Sequence, residues 1–379
     1  MAVPTAPPRI LFLFTEVFAN GGIQRFNQTI LDACTRLGIG GVVLSMQDSA
    51  ASVEKHPQQN KFSLVGFSGD RRRFALAMTR MLLLERFDRV VIGHVNFLSM
   101  AACVLALRPT RQGATILIAH GIEVWSGIGQ LRHRALARID RILCVSRYTR
   151  QRILDQAPAL SPDRLLIFPN ALADSWGRVA PAAPTRSLPP RFILSVTRLE
   201  PGDRYKGIAT VIEAFSMLAD ESLHYLVIGH GEDLPFLELV AARCGVEERV
   251  HFLRGVGDPE LISLYQRCVA FVLPSGKEGF GIVFLEAMFF GAPVIAAREK
   301  GAVDVVSDGE TGLLVRFGDT IEIKNAIERI ESDAALRERL CANGRSLVSE
   351  EGRFTFARFI QRCAEVFDLD GAVAARSGG

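Results

Sequence analysis

The chain has 379 residues, 49% hydrophobic and 22% charged, which is too long for one ordinary domain, suits two, and excludes a disordered polypeptide. Its formal charge of +3 hides a split: residues 1–190 hold 23 Lys+Arg against 12 Asp+Glu, and the remainder 21 against 29. The longest uncharged apolar stretches, such as Phe97–Leu107, fall well short of the ~20 residues a membrane-spanning helix needs.

Strand-like apolar runs alternate with segments of helical period. Arg9–Phe14 reads as a strand and not as a signal peptide, because no basic region precedes it. Ile23–Leu37 repeats apolar residues at helical spacing and stops at Gly38. Then come strand-like Gly41–Met46, helical Arg71–Arg86, strand-like Arg89–Ile92, helical Phe97–Leu107 and strand-like Ala114–Ala119. Arg141–Val145 is a strand, Ser146 an N-cap for a helix over Arg147–Gln156, and Leu165–Phe168 the last strand of this half. Ala171–Pro190, rich in Pro and Ala and without an apolar period, breaks the rhythm.

The alternation then restarts. Strands are expected at Phe192–Thr197, Leu223–Ile228, Val250–Leu253, Val269–Leu273, Pro293–Ala296 and Gly312–Val315. Helices are expected at Gly207–Leu218, Asp233–Cys244, Pro259–Arg267 and Ile282–Phe290, with three more to about Leu369. Such alternation with continuously apolar strands means parallel sheets covered on both faces. The expected division is 1–180, a linker at 181–190, a second domain at 191–352, a terminal helix at 353–370 crossing back to the first domain, and a disordered tail at 371–379.

Open α/β sheets bind ligands beyond the carboxyl ends of their strands, and the chemistry-bearing residues follow strands. In PSGKEGFGIVFLE, Pro274–Glu286, a strand ends at Pro274 and a glycine-bearing loop opens a helix near Gly281; amides at such a helix start suit an anion or sugar hydroxyls. Glu278 and Glu286 lie eight residues apart, about 12 Å if helical, against the ~5 Å that a retaining glycosidase needs between its carboxylates. They therefore grip two parts of one long ligand, or are a loop glutamate and an ordinary helix-surface glutamate. In SVTRLEPGDRYKG, Ser195–Gly207, Arg198 and Lys206 flank a helix start and can hold a diphosphate whose charge grows as a glycosidic bond breaks. Arg204 is not excluded by spacing, and both cations could be solvated turn charges. A lysine is informative here, since the chain has 6 lysines against 38 arginines. His120 and Glu123, in HGIEVW, and Gly21 and Gly22, in ANGGI, also follow strands; the two glycines allow close backbone approach to a ligand, and a lone histidine is as readily structural as catalytic. Neither a dinucleotide G-x-G-x-x-G nor a P-loop occurs. Seven unpatterned cysteines fit reduced thiols in the cytoplasm and argue against a structural zinc site.

EGFG…E resembles the E-x7-E motif of retaining GT-B glycosyltransferases, above all glycosyltransferase family four. The resemblance covers essentially the whole chain and is closest over Arg191–Val315, where GHGED at Gly229–Asp233, VHFLRGV at Val250–Val256 and EAMFFGAPVIA at Glu286–Ala296 also fit. It implies an α/β GT-B fold, two Rossmann-like doubly wound domains facing each other across a cleft, with the acceptor on the N-terminal domain and the nucleotide-sugar donor on the C-terminal one. It implies that Arg198 and Lys206 bind the donor phosphates, that Glu278 lies against the donor sugar and Glu286 at the ribose, and that the amides of Gly279, Phe280, Gly281, Ile282 and Val283 face sugar and phosphate, with Val256 beside the donor. It places His120 near the donor sugar, and Gly21 and Gly22 where donor phosphate and acceptor enter.

The resulting expectation is a retaining hexosyltransferase using a UDP- or GDP-hexose, acting by a front-face route in which the leaving phosphate helps deprotonate the acceptor. No cofactor and no metal are expected, because no D-x-D precedes a plausible metal pocket and two cations replace the ion as charge sink. The acceptor would be a glycan or lipid-linked molecule in bacterial polysaccharide or glycoconjugate assembly; no nucleic acid partner is expected. Alternatives are a nucleotide-sugar epimerase of the same architecture and a non-catalytic nucleotide-sugar or glycan-binding protein. The basic first half fits either docking on an anionic membrane surface or two halves of complementary charge. Arg71–Arg73 before an apolar helix, and Arg132, Arg134, Arg138 and Arg141 at mostly helical spacing, supply the ingredients of the docking reading.

Overall fold

The computed structural model describes residues 8–19, 21–55, 61–107, 113–125, 127–184 and 187–367. The chain forms two compact units: one comprises the chain up to Ala173 together with the chain from Phe356 onward, the other Asp174–Thr355.

The first unit runs β1 (Arg9–Phe14), α1 (Gly22–Arg36), β2 (Gly40–Ser45), α2 (Ala50–Glu54), β3 (Phe62–Gly66), α3 (Arg71–Leu84), β4 (Arg89–Ile92), α4 (Leu98–Ala106), β5 (Ala114–Ala119), α5 (Ile122–Trp125), α6 (Gln130–Leu136), β6 (Arg141–Cys144), α7 (Arg147–Gln156) and β7 (Leu165–Ile167). Its seven strands lie parallel in the order β3-β2-β1-β4-β5-β6-β7. Every residue of β1 after Arg9 is buried, as a parallel strand covered on both faces requires. Side chains cap the starts of α3 and α7. Asp70 accepts from the amides of Arg72 and Arg73, and Ser146 Oγ accepts from the Thr149 amide. The Asp70 carboxylate also offsets the three arginines that open α3 against the helix dipole.

The second unit runs β8 (Phe192–Val196), α8 (Ile208–Ser216), β9 (His224–Ile228), α9 (Leu234–Arg243), β10 (Val250–Leu253), α10 (Asp258–Arg267), β11 (Phe271–Leu273), α11 (Ile282–Phe289), β12 (Val294–Ala297), β13 (Leu313–Val315), α12 (Thr320–Ser332) and α13 (Ala334–Ser346). Its six strands are parallel in the order β10-β9-β8-β11-β12-β13. Each unit is thus a Rossmann-like, doubly wound sheet with helices on its faces.

The last helix, α14 (Phe356–Val366), belongs to the first unit and packs on α1. The Phe359 ring stands 5.8 Å from Phe26 and 5.0 Å from Phe168. The Arg141 guanidinium donates to the Val366 carbonyl at 2.8 Å, satisfying one of the terminal carbonyls that a helix leaves open.

Several expectations are corrected. The short α2, the edge strand β3 and helices α5 and α6 carry too little periodicity to be read from sequence; β3 alternates buried and more exposed residues, as an edge strand does. The first unit ends at Ala173, inside the Ala171–Pro190 stretch that breaks the alternation. Asp174–Pro184 packs on the second unit: Trp176 is buried with its ring 5.4 Å from Phe290, and the Ala182 amide donates to the Pro259 carbonyl. The arginines at 132–141 do not form one helical row, because α6 ends at Leu136 and Arg141 opens β6. The expected disordered tail lies outside the described residues. No helix among the described residues is long and apolar enough to cross a membrane.

Candidate functional site

In each sheet the strand order reverses at one place, between β1 and β4 and between β8 and β11. Open α/β sheets bind ligands beyond the carboxyl ends of the strands at such a switch point.

In the second unit the loops after β8 and β11 are tied together. Gly207 and Gly281, with φ of 79° and 92°, adopt the left-handed conformation and cap α8 and α11. A Cβ on Gly207 would meet the Pro274 carbonyl at 2.9 Å, and the Gly276 amide donates to the Tyr205 carbonyl at 2.8 Å. This packing carries Lys206 Nζ to 2.8 Å from Glu278 Oε2, both side chains largely withdrawn from water. Lys206 Nζ lies 5.4 Å and Lys277 Nζ 5.7 Å from the Tyr205 ring centroid, within cation–π range. Burial first, and then the bond to Asp203, push the Tyr205 hydroxyl pKa up.

Arg198 does not touch that pair. Its guanidinium reaches Asp203 at 3.1 Å while its side chain stays 63% exposed, so the cation is aimed but accessible. Arg204, which spacing could not exclude, is held elsewhere: Nε donates to both Asp233 oxygens at 3.0 Å, Nη2 donates to Oδ1 at 2.6 Å, and the guanidinium stacks 4.0 Å over Phe236.

Glu286 is not a surface residue. Its carboxylate is buried at 2% exposure and accepts from the Tyr265 hydroxyl at 3.3 Å. The 12 Å separation from Glu278 assumed continuous helix, but α11 begins only at Ile282. Glu278 sits in the loop, its Cγ 3.3 Å from where a Cβ on Gly281 would lie. Phe280 and Ile282 bury their side chains, Phe280 edge-on to Phe354 at 5.4 Å, so they can offer only main-chain groups outward. Gly279 and Val283 are half-buried beside them, and half-buried Val256 lies in the loop between β10 and α10.

In the first unit His120 follows β5 and is buried, with 9% of its surface exposed. Its Nε2 lies 3.0 Å from the Gly93 carbonyl. A carbonyl only accepts, so Nε2 carries the proton and, in the neutral ring, Nδ1 is left as an acceptor. Burial lowers the imidazole pKa from 6.5 to about 4, partly opposed by the bond to Gly93; the ring is neutral at neutral pH. Glu123 turns inward and accepts from the amides of His120 and Gly121 at 2.6 and 3.2 Å. Gly22 is the first residue of α1 and Gly21 its N-cap. The segment before them is anchored by Asp48, which accepts from Val17 N and Phe18 N at 2.7 and 3.3 Å and from Ser45 Oγ.

Sequence reasoning missed Asp48, Asp203, Asp233 and Tyr265, the groups that hold the expected site residues and their loops. Asp203, five residues from Arg198 in a short turn, carried a readable signal; the others are joined only by the fold.

The sequence profile of the glycosyl transferases group 1 matches residues 181–347, and that of glycosyltransferase family 4 matches residues 20–175. The GDP-mannose-dependent alpha-(1-6)-phosphatidylinositol monomannoside mannosyltransferase of Mycolicibacterium smegmatis is 29% identical over 345 residues, covering 83% of this chain and 86% of that protein. The D-inositol 3-phosphate glycosyltransferase of Stackebrandtia nassauensis is 37% identical over 130 residues, but the match spans only 34% of this chain and 29% of that relative. The crystal structure of Anabaena HepE in complex with UDP and glucose superimposes with a TM-score of 0.76 at 19% identity, covering 96% of this chain and all of that one.

Proposed function

The chain belongs to glycosyltransferase family four, with the GT-B fold of that family, and from this premise we propose that it transfers a hexose from a UDP- or GDP-hexose to a glycan or lipid-linked acceptor, with retention of anomeric configuration and without a metal ion. The observation that carries the reading is the Lys206–Glu278 pair, brought together from two loops at the switch point of the second sheet, with Arg198 on the same loop as Lys206 and Glu286 buried in α11. An incoming diphosphate competes for Lys206 and frees the Glu278 carboxylate to accept hydrogen bonds from the sugar hydroxyls. As the glycosidic bond breaks, negative charge grows on the departing diphosphate, and Arg198 and Lys206, already oriented by the fold, stabilise it without reorganisation. That supplies the charge sink a divalent ion would otherwise provide. The buried Glu286 acts as a fixed acceptor for the ribose hydroxyls. HepE, described with UDP and glucose, and the M. smegmatis enzyme, described as GDP-mannose-dependent, support a nucleotide-diphosphate hexose and leave both bases open.

The acceptor side rests on the first unit. Neutral His120 offers an acceptor nitrogen and not an acid, so it suits hydrogen bonding to a sugar hydroxyl. Arg71, Arg72 and Arg73 are exposed at the start of α3, and Leu76 and Leu84 on that helix and Leu131 on α6 are 72%, 73% and 72% exposed. α4 packs against both helices. Basic residues beside exposed leucines suit an anionic membrane surface, which a lipid-linked acceptor would make useful, and the enzyme would then work in the cytoplasm as a peripheral protein. The reading is tested with a panel of nucleotide sugars in thermal unfolding: a UDP- or GDP-hexose raises the melting temperature with concentration, by mass action, and indifference to the whole panel would refute it.

A further inference from the structure

Lys300 is one of two non-glycine residues with positive φ among those described, at 60°. A lysine there carries a backbone strain that the surrounding structure must hold in place. It opens the 3-10 turn Lys300–Asp304 that follows β12, in a segment the proposed function leaves unused. Three consecutive residues of this segment grip the loop bearing Glu278. The Glu299 carboxylate accepts from the Phe317 amide at 3.3 Å, and the Phe317 ring lies so close over Gly276 that a Cβ there would meet it at 2.8 Å. Lys300 Nζ donates to the Gly276 carbonyl. The Gly301 amide donates to the Glu278 carbonyl at 2.9 Å, and a Cβ on Gly301 would strike the Gly279 carbonyl at 2.1 Å. On its other side the loop is fixed by the Gly276 amide on the Tyr205 carbonyl. Gly276 is therefore held from both sides, by Tyr205 through its amide and by Lys300 through its carbonyl, two residues before the carboxylate placed at the donor sugar.

The geometry points to Lys300 as a positioning residue: its ammonium, brought onto Gly276 by a strained backbone, sets the 276–281 loop and with it the Glu278 carboxylate in the geometry that transfer needs. The strain is the reason a lysine and not a glycine is informative. Glycine would fit this backbone better, but it has no ammonium to place. This inference rests on the reading of the site as a nucleotide-sugar transferase, so the test includes a readout independent of turnover.

Lys300→Met keeps the strained backbone and loses the bond; Lys300→Gly loses both. Hydrogen–deuterium exchange of peptides covering residues 276–281 is expected to speed up at least several-fold in both variants, with exchange in the first unit unchanged. The melting temperature is expected to fall in Lys300→Met and to recover in Lys300→Gly. In release of nucleotide diphosphate from the UDP- or GDP-hexose that wild type accepts, kcat is expected to fall at least tenfold in both variants with KM within about threefold. Activity that recovers with stability in Lys300→Gly, or wild-type exchange in the 276–281 peptides, overturns the positioning role. A wild-type enzyme that turns over no nucleotide sugar fails the functional reading instead, and the exchange result then still decides whether Lys300 holds the loop.

Discussion

Replacing His120 with Gln removes a titrating ring from the interior of the first unit and exposes its cost in the pH dependence of stability. Burial holds the folded pKa at about 4 against 6.5 in the unfolded chain. Between those values the unfolded state binds the extra proton and the folded state does not, so stability rises with pH there. This contribution is fully present above pH 6.5 and drains away as pH falls toward 4. At ~1.4 kcal/mol per pKa unit, the wild type should lose about 2 kcal/mol between pH 7 and pH 4.5 through this residue alone. His94 and His251 are shifted in the same direction, also chiefly by burial, so the quantity to measure is the difference between wild type and His120→Gln. Urea unfolding of both proteins at pH 7 and pH 4.5, followed by a probe in the first unit, supplies it. The variant should show the shallower pH dependence, by about 2 kcal/mol. Equal pH dependence in the two proteins, or an imidazole of His120 that titrates near 6.5 by NMR, would refute both the burial argument and the neutral-acceptor role.

Other outcomes follow from the same geometry. Arg198→Ala and Lys206→Ala should each lower turnover by roughly 10²–10³-fold, the scale of losing one preorganised charge-stabilising group, with circular dichroism unchanged; near-normal turnover in both removes the phosphate role. Glu286→Gln should mainly raise the dissociation constant for the donor and Glu278→Gln mainly lower kcat, and steady-state kinetics that move both parameters alike in both variants would erase that division. Anionic vesicles should retain the protein at low salt and release it as salt screens the arginines. Replacing Arg71, Arg72 and Arg73 with Ser should weaken that binding, and equal, negligible binding to neutral and anionic vesicles rejects the membrane surface.

Much of the fold was legible because parallel strands buried on both faces write themselves as unbroken apolar runs, as in Ile10–Phe14 and Ile116–Ala119. Where burial is one-sided or the element is short, the signal fades. Phe62–Gly66 at the sheet edge and the four residues of Ile122–Trp125 are examples. The site was legible to the extent that loops following strands concentrate it. Lys206 and Glu278 were both marked, but their contact spans 72 residues and needed the fold to bring it about. What periodicity could not reveal were the groups that aim the cations. Asp233 meets Arg204 across 29 residues, and the Lys300 bond to Gly276 spans 24. The left-handed backbone of Lys300 has no signature in residue type at all, since lysine is an unexpected occupant of that conformation.

As proposed, the Lys206–Glu278 site transfers a hexose from a nucleotide diphosphate with its anomeric configuration kept and no metal required. Proton NMR of the reaction with a UDP- or GDP-hexose selected by thermal shift, run in EDTA, reads configuration and metal dependence together. The donor's anomeric doublet is expected to decay, and the new glycoside, or first-formed free sugar when water is the acceptor, to appear with the donor's own anomeric coupling. Appearance of the opposite anomer before mutarotation, or no reaction in EDTA with recovery on adding magnesium or manganese, would contradict it.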